Sequence, residues 1–196
     1  VNHHASPARL RFRATAQPPG EPVTLAEALV HARVDSEEDH ALLQGYLIAA
    51  RQWCEAHLGR PILPTPVAAE AEAWPCGGGF LLDAPIIAVS AVTHTDTDGA
   101  LAAWGDYITR RQPGGAMLLR TATGASWPVL GADPVIRIEA VAGFEDDVPE
   151  PIRLAILQLA AHWFAVREPV NIGNVVAEVA FTAAKLLQPY RWRLIG

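Results

Sequence analysis

The sequence predicts an α+β protein: mainly a helical bundle with an inserted small antiparallel β-region and a C-terminal tail. Three observations lead there. Four segments carry apolar residues at helical spacing between capping and breaking residues. Between Arg60 and Pro149 that spacing vanishes while Pro and Gly recur. After Pro189 the chain ends in a short aromatic and basic run. The expected organisation is an extended N-terminal arm over 1–22, a single connector domain over 23–188 and a tail over 189–196. Within the domain, helices are expected over 24–34, 37–58, 149–167 and 175–187, with the β insertion over 62–142.

The arm follows from Pro7, Pro18, Pro19, Gly20 and Pro22, which prevent helix. Arg9, Arg11 and Arg13 alternate with Leu10, Phe12 and Ala14, as in a short strand laid on a neighbour. The first helix opens on Thr24 and Glu27, the spacing of a capping box. Leu25, Ala28, Leu29 and Ala32 give it one apolar face. Asp35 and Ser36 are positioned to cap the second helix, with Glu37, Glu38 and Asp39 in its first turn, where the helix dipole favours negative charge. Leu43, Leu47, Ala50, Cys54 and Leu58 form one stripe of that helix. Leu42, Tyr46, Ala49 and Trp53 form a second. So broad an apolar surface implies cover on more than one side, by the chain's own β-region or by another subunit. Gly59 supplies the left-handed stop.

Short strands are expected at Val67–Ala73, Phe80–Leu82, Ile86–Thr95, Tyr107–Thr109, Met117–Leu119 and Val135–Val141. Asp98-Gly99 is a hairpin-turn signal between two of them. The third helix opens at Pro149-Glu150-Pro151, where proline's fixed φ suits a first turn. Ile152, Ile156, Leu159, Trp163 and Val166 follow at helical spacing. A loop with Asn171, Gly173 and Asn174 leads to the fourth helix, which Pro189 stops.

Composition excludes several classes. The chain has 196 residues, 51% hydrophobic and 18% charged, with a net charge of −6. Disorder needs the opposite balance. Two cysteines, Cys54 and Cys76, do not make a disulfide scaffold. No stretch approaches the roughly 20 apolar residues of a membrane span, and the N-terminus lacks the apolar core of a signal peptide. The charge is uneven. Arg9, Arg11 and Arg13 give the first twenty residues +3, and Lys185, Arg191 and Arg193 give the last twelve +3, leaving −12 between them.

A search for chemistry comes up empty. The seven histidines make no H-x-x-x-H pair with a matching carboxylate, so no metal is expected. Cys54 falls in an apolar helical stripe and reads as a small core residue. Gly77-Gly78-Gly79 precedes a strand rather than a helix and reads as a flexible hairpin tip, not a phosphate loop. Asp96-Thr97-Asp98-Gly99 lacks the later bidentate Glu of a calcium loop. Ser126 lacks the context of a hydrolase elbow. No catalytic residue and no cofactor are expected, and the protein reads as not an enzyme. The tail is more informative. Tyr190, Trp192, Leu194 and Ile195 are large and apolar, and a chain end keeps such residues when they are buried, against its own helices or a partner.

Four stretches together resemble the phage head–tail connector, or portal adaptor, family. They are Val23-Thr24-Leu25-Ala26-Glu27-Ala28 with Arg33-Val34-Asp35; Ala49-Ala50-Arg51, Glu55-Ala56 and Gly59-Arg60-Pro61; Ser126-Trp127-Pro128 with Ala142-Gly143-Phe144; and Val148-Pro149-Glu150-Pro151-Ile152-Arg153 with Ala155-Ile156-Leu157, Ala161-His162-Trp163-Phe164 and Arg167-Glu168. Leu186-Leu187-Gln188-Pro189-Tyr190-Arg191 is similar to the family's ending. The likeness spans roughly 22–191. The basic arm before Glu21 and the last residues, Trp192 to Gly196, extend past the family's usual limits.

The resemblance implies a structural protein of the particle neck, assembled in the bacterial cytoplasm. It implies a ring of about twelve copies under the portal, with closed cyclic symmetry. The ring extends the DNA channel and joins the capsid to a head-completion (stopper) or tail protein. DNA passes without sequence-specific binding, and no membrane is involved. The tail residues Tyr190, Arg191, Trp192, Arg193, Leu194 and Ile195 are the expected portal contacts. Tyr46, Trp53, Trp163 and Phe164 are the expected subunit-interface candidates. Similar adaptors occur in gene transfer agents, and the Ala- and Arg-rich composition suits such a GC-rich host. The alternative reading is a nucleic-acid-binding module that uses the two basic ends.

Overall fold

The computed structural model describes residues 8–82, 85–112, 115–166 and 175–191, with side chains from 179 onward in the last segment. The chain forms two compact units, each built from two separate segments. One, comprising Pro19–Leu63 and Phe144–Gly196, is helical. The other, comprising Val1–Pro18 and Pro64–Gly143, holds the sheets.

In the helical unit, α1 (Leu25–Ala32) starts on the expected capping box. The Glu27 backbone N–H donates to the Thr24 hydroxyl at 3.2 Å, and the Thr24 N–H donates to the Glu27 carboxylate at 2.8 Å. Two otherwise orphaned donors are thereby satisfied. The second helix departs from expectation at its start. Glu37–Asp39 wind as a three-ten turn, α2 spans His40–Leu58, and neither Ser36 nor Asp39 makes a side-chain capping bond. Gly59 closes α2 in the left-handed conformation, at φ 69°. Helix α3 (Glu150–Ala165) has Pro149 as its N-cap. Helix α4 (Val175–Leu187) runs into a three-ten turn, Gln188–Tyr190.

The first stripe of α2 is the centre of the helical core. Leu43, Leu47, Ala50, Cys54 and Leu58 are all fully buried, against Ile152, Ile156 and Leu159 of α3 and Ala183 and Leu187 of α4. The second stripe is different: Leu42 and Ala49 are exposed, and Tyr46 and Trp53 are half-buried.

The sheet unit overturns the expected fold class. It is not a small antiparallel insertion in a helical bundle. Nine strands form two sheets around their own core among the described residues, so the protein is an even α+β mixture. The four-stranded sheet has the order β1 (Ala8–Leu10), β4 (Phe80–Leu82), β8 (Met117–Thr121), β7 (Tyr107–Arg111). The five-stranded sheet has the order β2 (Arg13–Ala14), β3 (Thr65–Ala71), β9 (Ile136–Ala142), β5 (Ile86–Thr95), β6 (Leu101–Ala103). Phe80, Leu82, Met117 and Leu119 of the first meet Val67, Ile86, Ile136 and Ile138 of the second in one apolar cluster.

The alternating arginine segment forms two short strands, each laid on a strand of the same chain. Strand β1 lies parallel to β4, and β2 lies antiparallel to β3. That parallel pair also means the β-region is not wholly antiparallel. The β-region looks minor in sequence for physical reasons. Strands of two or three residues hold less than two full alternations. Alanine, which fills much of β3 and β6, is a poor strand former. The pairings that build the core, β3 with β9 and β5 with β9, join distant segments and leave no local period. No described helix is long and apolar enough to cross a membrane.

The glycine run is tighter than a flexible tip. Gly79 is buried at φ +92°, and a Cβ there would sit 2.2 Å from the Leu119 carbonyl oxygen of β8. Gly99 has a similar φ of +81° but open space around it. Gly79→Ala is therefore expected to destabilise the protein by more than about 2 kcal/mol, against about 1 kcal/mol for Gly99→Ala, measured by denaturant unfolding.

Candidate assembly surfaces

The four expected interface residues, Tyr46, Trp53, Trp163 and Phe164, all pack against the helical core. Tyr46 of α2 and Phe164 of α3 meet edge to face, with ring centroids 6.5 Å apart. Trp53 stacks on His57, one helical turn along α2, at 5.3 Å and 8°. Trp163 is half-buried against the same core. Of the tail, Tyr190 is half-buried on the helical core and Arg191 is exposed. Trp192, Arg193, Leu194 and Ile195 lie outside the described residues.

Two arginines named in the resembling motifs hold the helical unit together, and sequence reasoning assigned them no role. Arg51, only 3% exposed, donates through Nε to Glu21 at 2.8 Å and through Nη1 to Glu55 at 2.6 Å. Glu55 also accepts the Ile62 backbone N–H at 3.0 Å. Arg153 of α3 donates to the Pro22 carbonyl and to the Glu27 carboxylate, and lies 3.3 Å from Glu150. The signal for Arg51 was its place in the α2 core stripe: a charge at such a position needs carboxylates brought to it.

A second cluster, in the sheet unit, was equally unforeseen. Trp74 follows β3, Trp104 follows β6, and Trp127 lies in the loop between β8 and β9. Trp74 and Trp127 stack at 4.7 Å and 13°. Trp104 lies 5.4 Å from the first and 4.9 Å from the second. The Trp74 indole N–H donates to the Pro128 carbonyl at 2.8 Å, which satisfies its polar edge. Ser126-Trp127-Pro128 thus pins a long loop onto the sheets. Spacing alone does not reveal the cluster, because its three tryptophans come from three separate loops.

The other chemistry-bearing residues have structural explanations. The Cys54 thiol is pushed up to about 12 by burial, with Glu55 adding to the effect, so it stays protonated at neutral pH. Cys76 is exposed. Asp96 accepts the N–H groups of Asp98 and Ala100, both at 2.9 Å, making the turn between β5 and β6. Among the described residues, no three His, Cys, Asp or Glu side chains gather as metal ligands.

No family model matches the sequence, and no curated protein matches it. Solved structures do match. The first is a chain in the neck of an empty gene transfer agent (GTA) particle computed with C6 symmetry, at TM-score 0.74 and 22% identity over 95% of this chain and 98% of that one. The second is a chain of the virion of a native GTA particle, at TM-score 0.72 and 21% identity over 94% of this chain and 97% of that one. The third is from the neck of a native GTA particle computed with C12 symmetry, at TM-score 0.69 and 22% identity over 95% and 98%. At these identities the likeness is one of fold. The class so defined is the fold of these GTA particle chains, matched over nearly the whole length of both partners.

Two measurements probe the charged anchors. Arg51→Ala leaves Glu21 and Glu55 facing each other without a cation, and should cost about 3 kcal/mol in urea unfolding followed by circular dichroism. Glu27 is held below the ordinary carboxylate value of 4.5, first by the Thr24 backbone N–H, then by the Thr24 hydroxyl, with Arg153 adding to both. Because the folded value is the lower one, this stabilisation is complete above 4.5 and is lost as pH falls through the folded value. Between about pH 5 and pH 3, Glu27→Gln should therefore lose less stability than the parent chain.

Proposed function

We propose that this chain is a head–tail connector, the adaptor that forms a ring under the portal of a GTA or tailed-phage particle. The observation that carries the reading is the fold match to GTA chains over 94–95% of this sequence. A fragment match would leave one unit unexplained. The motif resemblance, reached from residues alone, supports the same reading from a different direction. The role is structural and not enzymatic, and the chain resides in the particle neck after assembly in the bacterial cytoplasm.

In this reading about twelve copies close a ring through head-to-tail contacts. The partners are the portal protein above and a head-completion or tail protein below. The half-exposed parts of Tyr46, Trp53, Trp163 and Phe164 are candidate subunit contacts. DNA passes through the ring unheld, because a body of net negative charge repels phosphate. The tail from Tyr190 to Ile195 docks on the portal, combining the aromatic and arginine side chains that dominate interface energies.

The test is truncation after Arg191, which retains Tyr190 on the helical core. The shortened chain should remain folded and be absent from purified particles. Normal occupancy of the truncated chain in particle necks would sink the assignment of Trp192 to Ile195 to the portal. Absence of the full-length chain from necks would sink the connector reading itself.

A further inference from the structure

The N-terminal segment closes one edge of both sheets. Strand β1 ends the four-stranded sheet, with Ala8 opposite Phe80 and Leu10 opposite Leu82. After Arg11 and Phe12, strand β2 ends the five-stranded sheet, with Arg13 opposite Ala68. The Ala8 N–H donates to the Gly79 carbonyl at 3.1 Å, and the Thr15 N–H to the Pro66 carbonyl at 3.0 Å. The segment from Ala8 to Thr15 is thus a strap, seated here on its own chain.

Little holds the strap down. Leu10 is its one buried side chain, in the same apolar cluster as Phe80 and Leu82. Phe12 is half-buried, and Ala8, Arg9, Arg11, Arg13, Ala14 and Thr15 are exposed. Pairings of two and three residues are too short to be stable alone. The strap therefore opens at a lower free energy than the sheets it covers. Opening uncovers the outer N–H and C=O groups of β4 and β3 together with the seat of Leu10, a template for an incoming strand.

The connection behind the strap favours a strand from another copy. Pro18-Pro19-Gly20-Glu21-Pro22 holds three prolines in five residues, and proline-rich linkers are stiff, extended spacers. Glu21 is fixed by Arg51 at 2.8 Å. Gly20 has open space around it and serves as the joint. A released strap is held out from a fixed post, and the stretch from Thr15 to Glu21 reaches about 20 Å. The seat fits residues 8–14 of this sequence by register, and every copy carries that segment. Exchange keeps every pairing, so its cost lies in the linker alone.

We propose that the strap Ala8–Thr15 is exchanged between copies: the edges of β4 and β3 in one copy take this segment of a second copy. Each copy gives one strap and takes one, so the contact has a direction and runs from copy to copy. Its closure into a ring rests on the connector reading, but the exchange itself is testable without particles.

Arg13 and Ala68 stand directly opposite each other, within the Cα separation that a disulfide spans. Cys76→Ser removes the exposed cysteine, and Cys54 is buried. In that background the single variants Arg13→Cys and Ala68→Cys are mixed at roughly millimolar concentration, the effective concentration of a short tether, and oxidised with copper phenanthroline. Dimers joining one variant to the other should exceed same-variant dimers at least about tenfold, because only the 13–68 pairing meets disulfide geometry. Mixed dimers in statistical proportion, or no dimers, overturn the exchange. A chain carrying both substitutions must also form the disulfide, and its failure to do so counts against the seat.

Particle necks give an independent readout. Necks built from the chain with both substitutions and oxidised after assembly should run as covalent multimers on a denaturing gel. Covalently closed monomers from those necks overturn the proposal. Mixed dimers in solution from a chain that never enters necks leave the exchange standing and remove the connector reading.

Discussion

One carboxylate fixes where the chain leaves α2. Glu55 binds the buried Arg51 guanidinium with one oxygen and the Ile62 N–H with the other, while its backbone carbonyl accepts the N–H groups of Gly59 and Arg60. The outgoing chain then meets the returning chain. The Phe144 N–H donates to the Ile62 carbonyl at 3.1 Å, and the Arg60 guanidinium lies 3.9 Å over the Phe144 ring. Exit and re-entry are therefore tied side by side. Through Arg51 the same group reaches Glu21, so three separate passages of the chain are held at one point of the helical unit. A buried arginine holding two carboxylates is a poor source of net stability compared with apolar packing, but a strict specifier of geometry, because leaving any member unpaired is costly.

How much of this was legible follows from range. The helices were readable because their evidence is local: Thr24 with Glu27, Gly59 after Leu58, Pro149 before Ile152. Their boundaries moved by a few residues, most at Glu37–Asp39, where a first turn tightened instead of capping. Strands β4 and β5 were read as they stand, and the strand at Val67 shifted by two residues. The weight of the β-region was missed because its strands gain stability only from partners dozens of residues away. The partners of the arm were hidden for the same reason, since Leu10 finds its place only when Phe80 and Leu82 are beside it. The anchors Arg51 and Arg153 and the tryptophan cluster are invisible to periodicity, though the motif stretches contain Arg51, Arg153 and Trp127 themselves. Arg51, Arg153 and the three tryptophans hold a fold that solved GTA particle chains share at 21–22% identity.

The interleaving of the two units has a consequence for biosynthesis. The helical core needs both Pro19–Leu63 and Phe144–Gly196, whereas the sheet core is complete once Gly143 has been made. On the ribosome, the inner segment must close first. Until α3 emerges, the stripe from Leu43 to Leu58 lacks Ile152, Ile156 and Leu159 and is covered only by α1 and its flanks. At about 5–20 residues per second, making the final segment takes about 3–10 seconds. For that interval the nascent chain carries a helical core that is only partly covered, the kind of surface that aggregates when crowded.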